Sequence, residues 1–128
     1  MRDILLFTGT QITYKNCHIP IENAIKNAVK NGENGMMLTG KNRLYLTFSN
    51  ERILDIDDEA MREEAEELQS RIPIHNAHIT FLETYRSIDA KRVIAILVEL
   101  FPDLYVNIDD SSDWFGSAKD FLEANFSY

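Results

Sequence analysis

From Ser87 to Pro102 the chain carries Ile88, Val93, Ile94, Ile96, Leu97, Val98, Leu100 and Phe101, and from Val93 onward this segment is apolar almost all round a helix. Ser87 suits its N-cap and Pro102 ends it. A helix of that kind must be buried, and a chain of 128 residues with 45% apolar side chains has core enough for only one compact domain to bury it in. Disorder is excluded by the same numbers.

The segments on either side of that helix are extended in pattern. Ala77, Ile79 and Phe81 alternate with His78, Thr80 and Leu82, and residues 104–108 form a second apolar run. If these two strands are parallel neighbours, a right-handed crossover joins them. Upstream, residues 4–7 and 11–14 flank Thr8-Gly9-Thr10 and predict a hairpin. Pro20 suits a first helical residue, Ile21, Ala24, Ile25, Ala28 and Val29 follow with helical spacing, and Gly32 suits the left-handed residue after such a helix. Strands are predicted at 36–39 and 44–48, with a short further one at 52–54. Asp57 or Asp58 can cap a helix running to about Arg71. Ser117 with Asp120 resembles a capping box for a last short helix bearing Phe121 and Leu122. The expected architecture is α+β: one domain over 1–128, a mixed or antiparallel sheet with about four helices packed on it.

Charge is distributed unevenly. Residues 1–50 hold 6 basic and 3 acidic side chains, net plus 3, whereas residues 51–128 hold 7 basic and 18 acidic, net minus 11. A net charge of −8 repels phosphate backbones and anionic membrane surfaces, so neither nucleic acid nor membrane is an expected direct ligand. Cys17 is the one cysteine, which fits a reducing compartment, and the apolar run at 4–7 is too short for a signal core or a membrane span. A cytoplasmic location is expected.

Few residues suggest chemistry. Cys17-His18 are adjacent and point apart more readily than together, so a thiolate with its base is not expected there. His75 and His78, three apart in an extended segment, face opposite sides and make a poor metal pair. Asp109, Ser111, Asp113 and Asp120 occupy positions 1, 3, 5 and 12 of a calcium-loop spacing, but Trp114 stands where that loop needs glycine. No phosphate loop, nucleophile elbow or metalloprotease motif occurs. Neither a cofactor, a metal nor an enzymatic activity is expected.

The acids themselves are the sharper feature. Residues 55–67 contain eight carboxylates against Arg62, and Glu59 with Glu63 and Glu63 with Glu67 are like-charge pairs one turn apart, each opposing the helix by about 0.2–0.5 kcal/mol. Such a helix is either a solvated face or a surface whose self-repulsion a cationic partner relieves. Asp57, Asp58, Glu59, Glu63, Glu64 and Glu67, with the acidic loop Asp109, Asp110 and Asp113 and the aromatic Trp114, are the candidate partner-binding residues. Trp114 reads as local core in preference to an interface anchor, though an aromatic in an acidic loop would suit either.

The stretch Ile79-Thr80-Phe81-Leu82-Glu83-Thr84-Tyr85-Arg86-Ser87, the apolar helix through Phe101, and Leu104-Tyr105-Val106-Asn107-Ile108-Asp109-Asp110 with Asp113-Trp114 together resemble small bacterial immunity proteins of polymorphic-toxin and contact-dependent growth inhibition systems. The resemblance covers about 50 of the 128 residues. It implies a cytosolic, non-enzymatic antitoxin that binds a cognate toxin domain, often a nuclease, and no binding residue carries over by position. Nucleases are cationic because they hold phosphates, so an acidic surface suits their inhibitor. A non-enzymatic adaptor or homo-oligomeric interaction module is the alternative.

Overall fold

A computed structural model of the chain describes residues 2–38, 44–55, 58–108 and 114–124. Its elements in order are β1 (Arg2–Thr8), α1 (Tyr14–Ala24), β2 (Ala28–Lys30), β3 (Gly35–Leu38), β4 (Leu44–Thr47), α2 (Glu59–Ser70), β5 (His78–Thr84), α3 (Ser87–Leu100), β6 (Tyr105–Ile108), β7 (Trp114–Ser117) and α4 (Ala118–Glu123). The strands form one antiparallel sheet in the order β2-β3-β4-β5-β1-β6-β7. The fold is α+β, as the alternation of periods predicts.

Side chains alternate across a strand, so each strand divides its residues between two sheet faces. On the first face Ile4, Leu6, Met36, Leu44, Leu46, Leu82, Val106 and Ile108 are buried under α1, α3 and α4, through Cys17 and Ile21 of α1, Ala90, Val93, Ile94 and Leu97 of α3, and Phe121 of α4. On the second face Phe7 is buried with Ile53, Ala65, Ile72 and Ala77, and Leu5, Ile79, Tyr105, Phe115 and Leu68 pack against them. Among the described residues three helices cover one face, and α2 with the segments bearing Ile53, Ile72 and Ala77 covers part of the other.

Several sequence expectations are corrected. Residues 11–14 are not a strand. Thr13 instead caps α1, its Oγ1 accepting from the Asn16 amide at 3.3 Å while the Asn16 Oδ1 accepts from the Thr13 amide at 2.8 Å. The first helix therefore begins six residues before Pro20, which lies inside it, and ends at Ala24, so Ala28 and Val29 belong to β2. Gly32 does take a left-handed φ of 69°, in the turn between β2 and β3. The extended stretch at 52–54 reduces to one isolated bridge, Arg52 to His78. α3 is buried along one side only: Ala95 is exposed, Ile88 is 55% exposed and Leu100 38%. β5 and β6 do run parallel, each being antiparallel to β1, but β1 lies between them, so α3 crosses over a strand and the two are not neighbours.

Candidate interaction surface

α2 forms where Asp58 caps it, Oδ1 accepting from the Ala60 amide at 2.9 Å, and Glu59 adds an acid to the positive end of the helix dipole. Ala65 is its one buried residue; Leu68 is half-buried and Met61 is 51% exposed. Glu59, Glu63, Glu64, Glu66 and Glu67 are all exposed. Glu64 and Glu67 flank a depression of about 420 Å³ between helix and sheet, closed at its far side by Leu5, Asn107 and Phe115. The Arg71 guanidinium stacks on Phe115, 3.7 Å from the ring centroid, and tethers the end of the helix to β7.

Of the other expected binding residues, Trp114 does not join this helix. Asp57, Asp109, Asp110 and Asp113 lie outside the described residues. Trp114 opens β7 on the opposite sheet face, half-buried in the main core with its ring edge-on to Phe121 at 5.7 Å. A Cβ at Gly116 would lie 2.5 Å from the indole, so glycine there is what lets the ring fold back over its own strand. Trp114 thus serves as core, and its neighbour Phe115 is the aromatic residue on the face that α2 shares.

Among the described residues only half of that second face is covered. Pairing aligns Val29, Met37, Tyr45, Glu83 and Asp3 in one row across β2, β3, β4, β5 and β1. The next row is Thr47, Phe81, Leu5, Asn107 and Phe115. α2 packs over the Leu5, Phe7, Tyr105 and Phe115 side, leaving the first row and the Thr47–Phe81 end of the second without a helix. Val29 is 46% exposed, Asp3 and Thr47 are exposed, and Met37, Tyr45, Phe81 and Glu83 are half-buried. Asp3 and Glu83 are direct cross-strand partners, a like-charge pairing that opposes sheet formation. Among the described residues neither carboxylate has an ion pair or a side-chain hydrogen bond.

Two further depressions cross this bare region. One of about 250 Å³ is lined by Asp3, Leu5, Thr47, Phe81 and Glu83 with adjoining backbone, and it meets the α2 depression at Leu5. The other, about 680 Å³, lies between the start of α1 and the 48–51 segment and shares Thr47 and Phe81 with the first. Gln11 shapes its wall by donating to the Ser49 carbonyl at 3.1 Å and to Asn50 Oδ1 at 2.6 Å. Sequence reasoning missed the Asp3, Tyr45, Phe81 and Glu83 cluster. The period of 2 in 78–84 does put Phe81 and Glu83 on one face, but Asp3 and Tyr45 join them only through strand register.

The residues with catalytic character are held apart. Cys17 is fully buried, and burial pushes its thiol up to about 12, which leaves it protonated. His18 turns the other way, stacked on Tyr14 at 4.3 Å with Nδ1 3.4 Å from Glu22. Tyr14 donates its hydroxyl to Glu22 at 3.0 Å, and that bond raises the phenol above its ordinary value. His75 is exposed in a turn while His78 is buried, so the two form no ligand pair. His78 Nδ1 is buried without a hydrogen-bond partner, and desolvation, aided by the Arg52 cation, holds the imidazole below its ordinary value. Among the described residues no group of three or more His, Cys, Asp or Glu could hold a metal, and no helix is long and apolar enough to cross a membrane. Of the calcium-loop spacing only Asp120 is described, exposed on α4 with its amide bonded to Ser117. Compared with known protein families, curated proteins and solved structures, the chain matches none.

Proposed function

We propose that this chain is a non-enzymatic immunity protein that binds and neutralises a cognate toxin domain, a basic nuclease suiting its charge best, in the bacterial cytoplasm. The observation that carries the reading is α2, which buries only Ala65 and presents five glutamates to solvent. A helix that gains so little from burial and carries like charges at one-turn spacing holds a surface in place rather than a core. Carboxylates in that density match a surface evolved for phosphates, raise the association rate with a cationic partner, and lose their mutual repulsion when it binds. No cofactor or metal takes part in such binding.

The test is co-purification with the tagged C-terminal domain of the protein encoded directly upstream, scored for complex formation and protection from its toxicity. Reversal of Glu63, Glu64 and Glu67 to lysine is expected to weaken the complex by about 2 kcal/mol or more while the fold persists. Unchanged affinity removes α2 from the interface, and absence of both binding and protection removes the immunity reading. The second reading, an adaptor or homo-oligomer, draws on the bare apolar row from Val29 to Tyr45. Self-association in sedimentation, with no affinity for a basic nuclease, would favour it.

A further inference from the structure

We infer that the uncovered half of the second sheet face is a docking trough for an arginine-bearing segment of a basic protein partner, with Asp3, Glu83 and Phe81 receiving one guanidinium. The inference rests on the reading that the partner is cationic, and it adds a surface which that reading does not use.

Three observations support it. The depression at the centre of the bare region has carboxylates on its rim and an apolar floor, and its lining holds Asp3 and Glu83 but no Lys, Arg or His. Those two acids are opposed across β1 and β5, in the interior of the sheet, without any counter-charge among the described residues. Opposed acids on neighbouring strands cost stability in the free protein, and a cation seated between them reverses the sign of that interaction. The depression also continues on both sides, through Thr47 and Phe81 toward α1, where Glu33 and Glu51 stand with Lys15, and through Leu5 toward α2, where Glu64 and Glu67 stand with Arg71, so an extended segment could lie along it and meet acids in excess of bases.

Charge decides the occupant. A second copy of this chain meeting the face about a twofold axis would set its own Asp3 and Glu83 against these. A basic segment is complementary, and arginine fits better than lysine because its planar guanidinium can lie on the Phe81 or Tyr45 ring while its fork reaches two carboxylates.

The experiment maps amide shifts of the ¹⁵N-labelled full chain during titration with hexa-arginine and, separately, hexa-lysine. Hexa-arginine is expected to shift Asp3, Tyr45, Phe81 and Glu83 and to bind there about tenfold tighter than hexa-lysine, as stacking and bidentate pairing are lost with lysine. The double variant Asp3→Asn, Glu83→Gln, which relieves a repulsion and so keeps the fold, should abolish those shifts and leave those along α2 unchanged. Shifts confined to α2 for both peptides would overturn the trough and leave the acidic-helix reading standing. Equal affinity of the two peptides at the sheet would overturn the arginine assignment, and no shifts at either surface would count against both.

Discussion

At the scale of single residues, this protein keeps two costly groups that its packing could do without. Asp3 faces Glu83 across β1 and β5, and like charges in that relation oppose pairing by roughly 0.2–1 kcal/mol. Replacing either acid by its amide, Asp3→Asn or Glu83→Gln, should therefore raise the unfolding free energy read from urea titration by an amount in that range, more at low salt than at high; a lowered free energy would mean that the acid replaced has a favourable partner. His78 is the second such group. Its imidazole is buried with an unsatisfied Nδ1 and held below its ordinary value by desolvation and by Arg52. The unfolded imidazole titrates near about 6.5, so between that value and the lower folded one the unfolded chain binds more protons than the native chain. Its contribution to stability is thus complete above about pH 6.5 and is lost as pH falls toward the folded value. Urea midpoints at pH 7.5 and 5.5 should differ more in the native protein than in His78→Leu, and equal differences would place the acid sensitivity elsewhere.

At the scale of elements, α1 shows how local chemistry overrides periodicity. Ile21, Ala24, Ile25, Ala28 and Val29 have helical spacing behind a proline, which suggests a helix over 20–29, but the Thr13–Asn16 capping box starts the helix earlier and Ile25 leaves it with an extended backbone. Pro20 then sits where it has no N–H for the preceding turn, a defect worth up to about 3 kcal/mol in a helix interior. Pro20→Ala should stabilise the protein by about 1–3 kcal/mol and raise its helical circular dichroism; a loss of stability would show that the ring's packing outweighs the missing bond. Elements with strong punctuation were legible. The cap read at Asp57 or Asp58 falls on Asp58, Ser117 accepts from the Asp120 amide at 3.1 Å, and the strand read over 77–83 appears as 78–84, whereas Ser87, read as the cap of α3, is its first residue behind Arg86, whose side chain makes no capping bond. β2 and β7 were not, because three or four residues hold too little period to distinguish a strand from a helix end or a loop. The site was half legible for a related reason: the carboxylates of α2 can be counted in the sequence, whereas the Asp3, Tyr45 and Glu83 row exists only once β4, β5 and β1 are in register.

At the scale of the whole molecule, the first strand occupies the inside of the sheet. β1 pairs with β5 and β6, whose residues follow it by some 70 positions or more, and it feeds both cores: Ile4 and Leu6 are buried on one face and Phe7 on the other. No local rule discloses this placement, because pairing order depends on which apolar faces can be buried together. It also sets the order in which the structure opens. β2 is a three-residue edge strand with an intermediate and two exposed residues, so its amides can exchange by local fraying. β1 cannot part from its neighbours without opening both cores, so its amides should exchange only through global unfolding. In a native-state hydrogen-exchange series with rising urea, Ile4, Leu6, Thr80 and Leu82 should share the largest opening free energy and the full denaturant slope, while Ala28–Lys30 show smaller values and almost no slope. If β1 exchanged at the rate of β2, its central pairing could not be what unites the two cores. If the slowest amides lay in α3 instead, the helical layer and not the sheet would hold the last structure to open. The expected pattern would also place the Asp3–Glu83 repulsion in the most stable part of the molecule, where the fold can tolerate it without losing the geometry of the open face.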